Sequence, residues 1–146
     1  MSQDTDTTAT GQCLCGGVKY EVRGPLRGVF ECHCKTCRRM SGGLWHATAA
    51  NRASINIQDN GGLRWYPTSE KVRRGFCGTC GSSLFYDREG APYIGITAGT
   101  LNDPTNLQLT ARLFMSETSD YNSPDKEPPS YQKFPKNPDL MKIPET

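Results

Sequence analysis

Apolar and polar side chains alternate along much of this chain with a period of two. Val18, Tyr20 and Val22 interleave with Lys19, Glu21 and Arg23, the pattern of a strand with one face in a core and one in solvent, and Gly24-Pro25 ends it. Val29 and Phe30 lead a second strand into Cys32. Further runs rich in β-branched and aromatic residues fall at 44–49, 54–57, 63–66, 72–76, 83–86, 93–98 and 107–114. Turn signals such as Asp59-Asn60-Gly61-Gly62 and Arg88-Glu89-Gly90 separate them. No long segment carries a helical period. The pattern predicts one helical turn after Cys34 and a short helix around 100–104. The fold class is therefore all-β, mainly antiparallel, with few short helices.

Composition sets the boundaries. Residues 1–10 are small and polar, include Asp4 and Asp6, and read as a disordered tail without the apolar run of a signal peptide. Residues 11–121 carry the strand signals and form one domain. Residues 122–146 hold six of the ten prolines, so regular structure is not expected there. Tyr131, Phe134, Leu140, Met141 and Ile143 are spaced through that segment and predict that it packs, extended, on the domain. An apolar fraction of 35% and a mean hydropathy of −0.63 give a thin core, which metal staples would offset. The formal charge of +2 excludes the basic surface that nucleic acid requires. No run is long enough to span a bilayer. The expected location is the cytoplasm, where thiols stay reduced.

The cysteines change the picture most. All seven fall in close groups: Cys13-Leu14-Cys15, Cys32-His33-Cys34-Lys35-Thr36-Cys37 and Cys77-Gly78-Thr79-Cys80-Gly81. A Cys-x-x-Cys turn converges both sulfurs on one tetrahedral metal, and Gly78 and Gly81 let backbone amides approach the thiolates. In Cys-x-Cys the two side chains share one side of an extended backbone. An odd number leaves a thiol over in any all-disulfide scheme, so reduced clusters point to zinc. The simplest division is a four-cysteine structural site from Cys13, Cys15, Cys77 and Cys80 and a three-cysteine site from Cys32, Cys34 and Cys37. Three protein ligands leave one position for water or substrate, the arrangement of a catalytic metal. The other possibility is a second closed site completed by His33 or His46. Four thiolates on zinc leave about −2 and three leave about −1, so the loaded chain is nearly neutral.

These residues resemble a known family. Gly11-x-Cys13-x-Cys15-Gly16-x-Val18-x-Tyr20, Cys32-His33-Cys34-x-x-Cys37-Arg38-x-x-x-Gly42 and Phe76-Cys77-x-x-Cys80-Gly81-x-x-Leu84 look like the glutathione-dependent formaldehyde-activating enzyme family, also called the centromere protein V family. The resemblance spans about residues 11–115. It implies a tent-like β fold with two zinc ions in the four-plus-three division. It also implies carbon–sulfur lyase chemistry on a glutathione adduct of a small aldehyde. Arg38 lies within the family motif, and a guanidinium suits a glutathione carboxylate. His46 has the pKa range for proton transfer, and alternation puts it on the opposite face from Trp45. The chain departs from the family at Arg112, where many members have histidine. It departs again at Thr118-Ser119-Asp120-Tyr121, where many have a Lys-Ala-Pro-Trp-like stretch. That segment is expected to line the substrate pocket, which makes Tyr121 a candidate contact.

Two other functions fit the same residues. One is a zinc-stabilised binding module with both metals structural. The other is a thiol or metal sensor, because an incompletely ligated thiolate site is the most open to exchange or oxidation.

Overall fold

The alternation at Val18, Tyr20 and Val22 becomes strand β2 (Val18–Val22), with those three side chains buried and Lys19 exposed. The computed structural model describes residues 7–123 and 125–144. Around β2 the chain forms β1 (Ala9–Gln12), β3 (Val29–Cys32), α1 (Lys35–Ser41), β4 (Trp45–Asn51), β5 (Ile55–Asp59), β6 (Leu63–Pro67), β7 (Val72–Cys77), β8 (Ser83–Arg88), β9 (Tyr93–Thr97) and β10 (Leu109–Leu113). Strands β1, β2 and β5 make a three-stranded sheet, and the others a seven-stranded sheet in the order β10-β3-β4-β9-β8-β7-β6. Pairing is antiparallel except between β3 and β10, which run parallel. The mainly β, mainly antiparallel expectation holds. The helical turn after Cys34 is α1, whereas the helix expected at 100–104 is a 3-10 turn at Ala98–Thr100.

The main core lies between the sheets. Val18, Tyr20 and Val22 pack with Leu84 and Phe85 of β8 and Ile94 and Ile96 of β9. The rings of Tyr20 and Phe85 meet edge-on at 5.5 Å, and Trp65 stacks on Phe85 at 6.2 Å. The buried Tyr20 hydroxyl donates to Thr100 Oγ1 at 2.7 Å, and that hydroxyl donates to the Thr97 carbonyl at 2.7 Å. Burial pushes the Tyr20 phenol up to about 12, so it stays a donor.

The pleat of the large sheet sorts the chemistry. The pairs Phe30↔Ala47, Glu31↔His46 and Cys32↔Trp45 put Phe30, Cys32, Trp45 and Ala47 on one face and Glu31 and His46 on the other. The register continues through Ala49↔Gly95, Tyr86↔Gly95 and Arg74↔Tyr86, which brings Tyr86 and Arg74 to the face of Trp45. Gly95 makes this possible: a Cβ there would sit 2.9 Å from Tyr86 Cβ and 3.5 Å from Trp45 Cη2. Any side chain there would force Tyr86 to shift.

Two boundary expectations are corrected. Ala9 and Thr10, read as tail, belong to β1 and pair with Val22 and Glu21; residues 1–6 lie outside the described residues. The C-terminal segment was expected to bury its apolar side chains, yet Tyr131, Phe134, Leu140, Met141 and Ile143 are all exposed. Its prolines and charges deny it a strand register, and the closely spaced Lys, Asp and Glu keep it in solvent. Among the described residues no helix is long and apolar enough to cross a membrane.

Candidate metal centres and the adjoining cavity

The seven thiols gather into two groups. The first joins Cys13 and Cys15, in the turn after β1, to Cys77 at the end of β7 and Cys80 in the turn beyond, all four sulfurs lying within 4.8 Å of one another. Cys13 and Cys15 Sγ are 3.6 Å apart, and Cys15 and Cys77 Sγ 3.8 Å. A disulfide needs about 2.05 Å, and among the described residues every cysteine is a free thiol. Tetrahedral zinc with Zn–S bonds near 2.3 Å sets its sulfurs about 3.8 Å apart, so the donor set fits a metal. The backbone supports the sulfurs: Val18 N–H donates to Cys13 Sγ at 3.3 Å, and the Ser82 hydroxyl stands 3.2 Å from Cys80 Sγ. The Ser82 hydroxyl and the N–H groups of Cys15 and Ser82 bring the Cys80 thiol down to about 5. Gly17 N–H favours the Cys15 thiolate, but the crowded neighbouring sulfurs outweigh it and push that thiol up to about 11. A cluster in which one thiolate opposes the next is what a cation would relieve.

The second group is local. Cys32 ends β3, Cys34 is the N-cap of α1 and Cys37 lies in its first turn, with the three sulfurs again within 4.8 Å. Cys34 Sγ accepts from Cys37 N–H at 3.3 Å, so a thiol fills the role that serine or aspartate takes at most helix starts. Gly42, at φ 86°, closes the helix with its N–H on the Arg38 carbonyl at 2.8 Å. Burial pushes the Cys37 thiol up to about 12, against the guanidinium of Arg74, which donates to Cys37 Sγ at 3.2 Å. This donor set also fits a thiophilic metal, with three ligands in place of four.

Neither histidine completes the set. His33 turns from the sulfurs, Nε2 donating to Glu31 at 2.7 Å and Nδ1 meeting Thr118 Oγ1 at 2.7 Å. His46 Nε2 is 3.1 Å from the other Glu31 oxygen, and Arg112 Nε donates to Glu31 at 3.0 Å. Burial opposes the charge on Glu31, but the two imidazoles and Arg112 hold its carboxyl below the usual range. One carboxylate thus fastens β3, β4 and β10 on the face opposite Cys32.

On the face of Cys32 a cavity of about 420 Å³ opens, within the range of small-molecule sites. Cys32, Cys34 and Cys37 line it beside an apolar wall of Phe30, Trp45, Val72, Tyr86, Leu113 and Phe114, with Arg27 and Arg74 as its cations. Arg27 stacks on Phe30, 3.7 Å from the ring centroid, and donates to the Ala47 carbonyl at 3.0 Å. Trp45 is both core and wall: 7% exposed, with its indole N–H on Thr97 Oγ1 at 2.9 Å.

The substrate contacts expected from sequence lie elsewhere. Arg38 spends its guanidinium on the Glu117 carbonyl at 2.9 Å, docking α1 on the chain after β10. His46 is on the opposite face. Tyr121 is 77% exposed, and Ser119 is buried away from the cavity. Arg38 rested on the family motif, His46 on the proton-transfer range of its imidazole, and Tyr121 on the segment that departs from the family. The residues that face the sulfurs, Arg74 and Tyr86, come from β7 and β8. Their signal was a charged residue on the inward parity of a strand, Arg74, beside an outward Arg73.

A β protein with a four-cysteine and a three-cysteine cluster, the smaller one facing a cavity, is the class that fold and site define. The chain belongs to the glutathione-dependent formaldehyde-activating enzyme family, whose pattern matches residues 8–117. It is similar to an uncharacterised lyase of Schizosaccharomyces pombe, 26% identical over 113 residues that cover 75% of this chain and 80% of that protein. A crystal structure of a Rhodobacter sphaeroides protein superposes with a TM-score of 0.56 at 26% identity, covering 70% of this chain and 98% of that one.

Proposed function

We infer that this protein is a zinc-dependent carbon–sulfur lyase that forms or cleaves the adduct of glutathione, or a similar small thiol, with a small aldehyde. The observation that carries the reading is the asymmetry of the two clusters: Cys32, Cys34 and Cys37 line the cavity, and none of the other four cysteines does. Family membership and the lyase relative support it. Cys13, Cys15, Cys77 and Cys80 are assigned to a structural zinc, and the other three to a zinc that substrate can reach. Zinc at the open cluster would supply a Lewis acid that lowers the pKa of a thiol or polarises an aldehyde oxygen.

The chain's own residues do the rest. Trp45, Tyr86 and Leu113 exclude water beside the sulfurs, which strengthens every electrostatic contact there. Arg27, which lines the cavity, donates from Nε and Nη2 to the Gly28 and Ala47 carbonyls and keeps Nη1 for a carboxylate of the thiol, in the role sequence gave to Arg38. In the forming direction the thiolate sulfur bonds to the carbonyl carbon. The C=O π pair moves to oxygen, and that oxygen takes a proton from water. Cleavage reverses each step. Cytoplasmic location, where glutathione is the common thiol, belongs to the same reading.

Calorimetry with glutathione on wild type and Cys34→Ser tests it. Wild type should bind with a measurable heat that the variant loses; equal affinity in both would remove the open cluster from the function.

A further inference from the structure

We propose that Arg74 is the built-in counter-cation of the three-cysteine centre and tunes that centre to receive an anionic sulfur ligand in preference to a neutral one. The proposal rests on the reading of this centre as the thiol site. Arg74 is only 5% exposed, deep on β7, and its one hydrogen bond runs from Nη2 to Cys37 Sγ at 3.2 Å. Its Nε and Nη1 are buried without a partner. The guanidinium lies 4.9 Å from the ring centroid of Trp45 and 5.3 Å from that of Tyr86. Among the described residues no carboxylate pairs with it, and the cavity is lined by neither Asp, Glu nor Lys. The other titratable groups around the cavity are Arg27, Tyr86, Tyr93 and the thiols.

A guanidinium buried this way is strongly unfavourable unless negative charge stands beside it. The aromatic faces return part of the cost. Among the described residues that line the cavity, Cys32, Cys34 and Cys37 are the groups that would carry negative charge beside the guanidinium once they hold a metal as thiolates. Three thiolates on a divalent ion leave one net negative charge, and a fourth would leave two. That build-up discourages an incoming thiolate. With Arg74 against Cys37 the sum is zero before the ligand enters and a single negative charge afterwards. Arg74 is hydrogen-bonded to a ligand residue and acts on the incoming sulfur through the charge it sets there, so it is a positioning residue.

The test uses the full chain loaded with cobalt(II), where the four-cysteine centre is a constant spectral background. 2-Mercaptoethanol, whose body is uncharged, and imidazole, a neutral ligand, are titrated against the absorption of the open centre. In Arg74→Met the thiol should lose about tenfold in affinity at pH 7, with its binding midpoint about one pH unit higher. Imidazole should bind within about twofold of wild type, and Arg74→Lys should restore most of the thiol affinity. Equal loss of both probes, or wild-type thiol binding in Arg74→Met, overturns the proposal. If Arg74→Met does not fold, Arg74→Gln against Arg74→Lys supplies the same contrast. A wild type that shows no spectral response to thiol defeats the open-centre reading itself. A response that Arg74→Met leaves unchanged defeats only the counter-cation.

Discussion

Cys15 and Cys77 stand 62 positions apart in the chain, yet their sulfurs lie 3.8 Å apart. A metal that stays on the chain when it unfolds closes a long loop there, and the entropy so removed sets the smallest effect; one that leaves adds its whole binding free energy to the fold. For a loop of that length the chain-entropy relation gives about 4 kcal/mol. The three-cysteine cluster closes only the short stretch from Cys32 to Cys37, for which the same relation gives about 2 kcal/mol. The two clusters should therefore differ in what they contribute to folding. The double variant Cys15→Ala with Cys80→Ala leaves one ligand on each side of the loop and spares the fully buried Cys13 and Cys77. With zinc present it should lose at least about 4 kcal/mol in urea unfolding, or on the order of 12 °C in Tm for a chain of this size. Cys34→Ala should lose about half of that or less, and each variant should carry one zinc per chain by elemental analysis. A double variant within about 1 kcal/mol of wild type, or a Cys34→Ala that is the less stable of the two, would refute the division into a staple and an open site.

The remaining expectations concern the face opposite the cavity. Glu31→Gln keeps the shape but removes the charge that His33, His46 and Arg112 share, and should cost about 2 kcal/mol at pH 7. Because the Glu31 pKa is depressed in the fold, its contribution is present above the ordinary carboxylate pKa and is lost as pH falls through the folded value. The gap between wild type and Glu31→Gln in urea midpoint should thus be full at pH 7 and close in acid below about pH 4; a gap that widened in acid would contradict the assignment. His46→Ala, with its ring on the Glu31 side of the sheet, should leave glutathione affinity by calorimetry within about twofold of wild type. A large loss would put His46 back among the substrate contacts.

The strands were legible because they are half-buried: where one face is wet, as in β2, the sequence must alternate, and the alternation at 18–22 names the buried side chains directly. β1 was not legible. Ala-Thr-Gly-Gln carries no alternation, and its strand character comes from four backbone pairings with β2, a non-local cause. The three cysteine motifs could be read from spacing because each is local in sequence, and the first and third then meet in one group of four because the turns after β1 and β7 bring their sulfurs together. The substrate side could not be read the same way. A site on a pleated sheet is built by residues that share parity across neighbouring strands, so a residue next to a ligand in sequence points to the wrong face as often as to the right one. Glu31 and His46 are adjacent to Cys32 and Trp45 and lie on the opposite face. Arg74, 37 positions from Cys37, is hydrogen-bonded to it. Once Cys32 is fixed as a ligand, parity alone rejects Glu31. Strand order is what then admits Arg74, because β7 reaches this face only through β8 and β9. The cation of the site is therefore encoded in four strand pairings across five strands, and its one local trace is an arginine on the inward parity of β7 beside the outward Arg73.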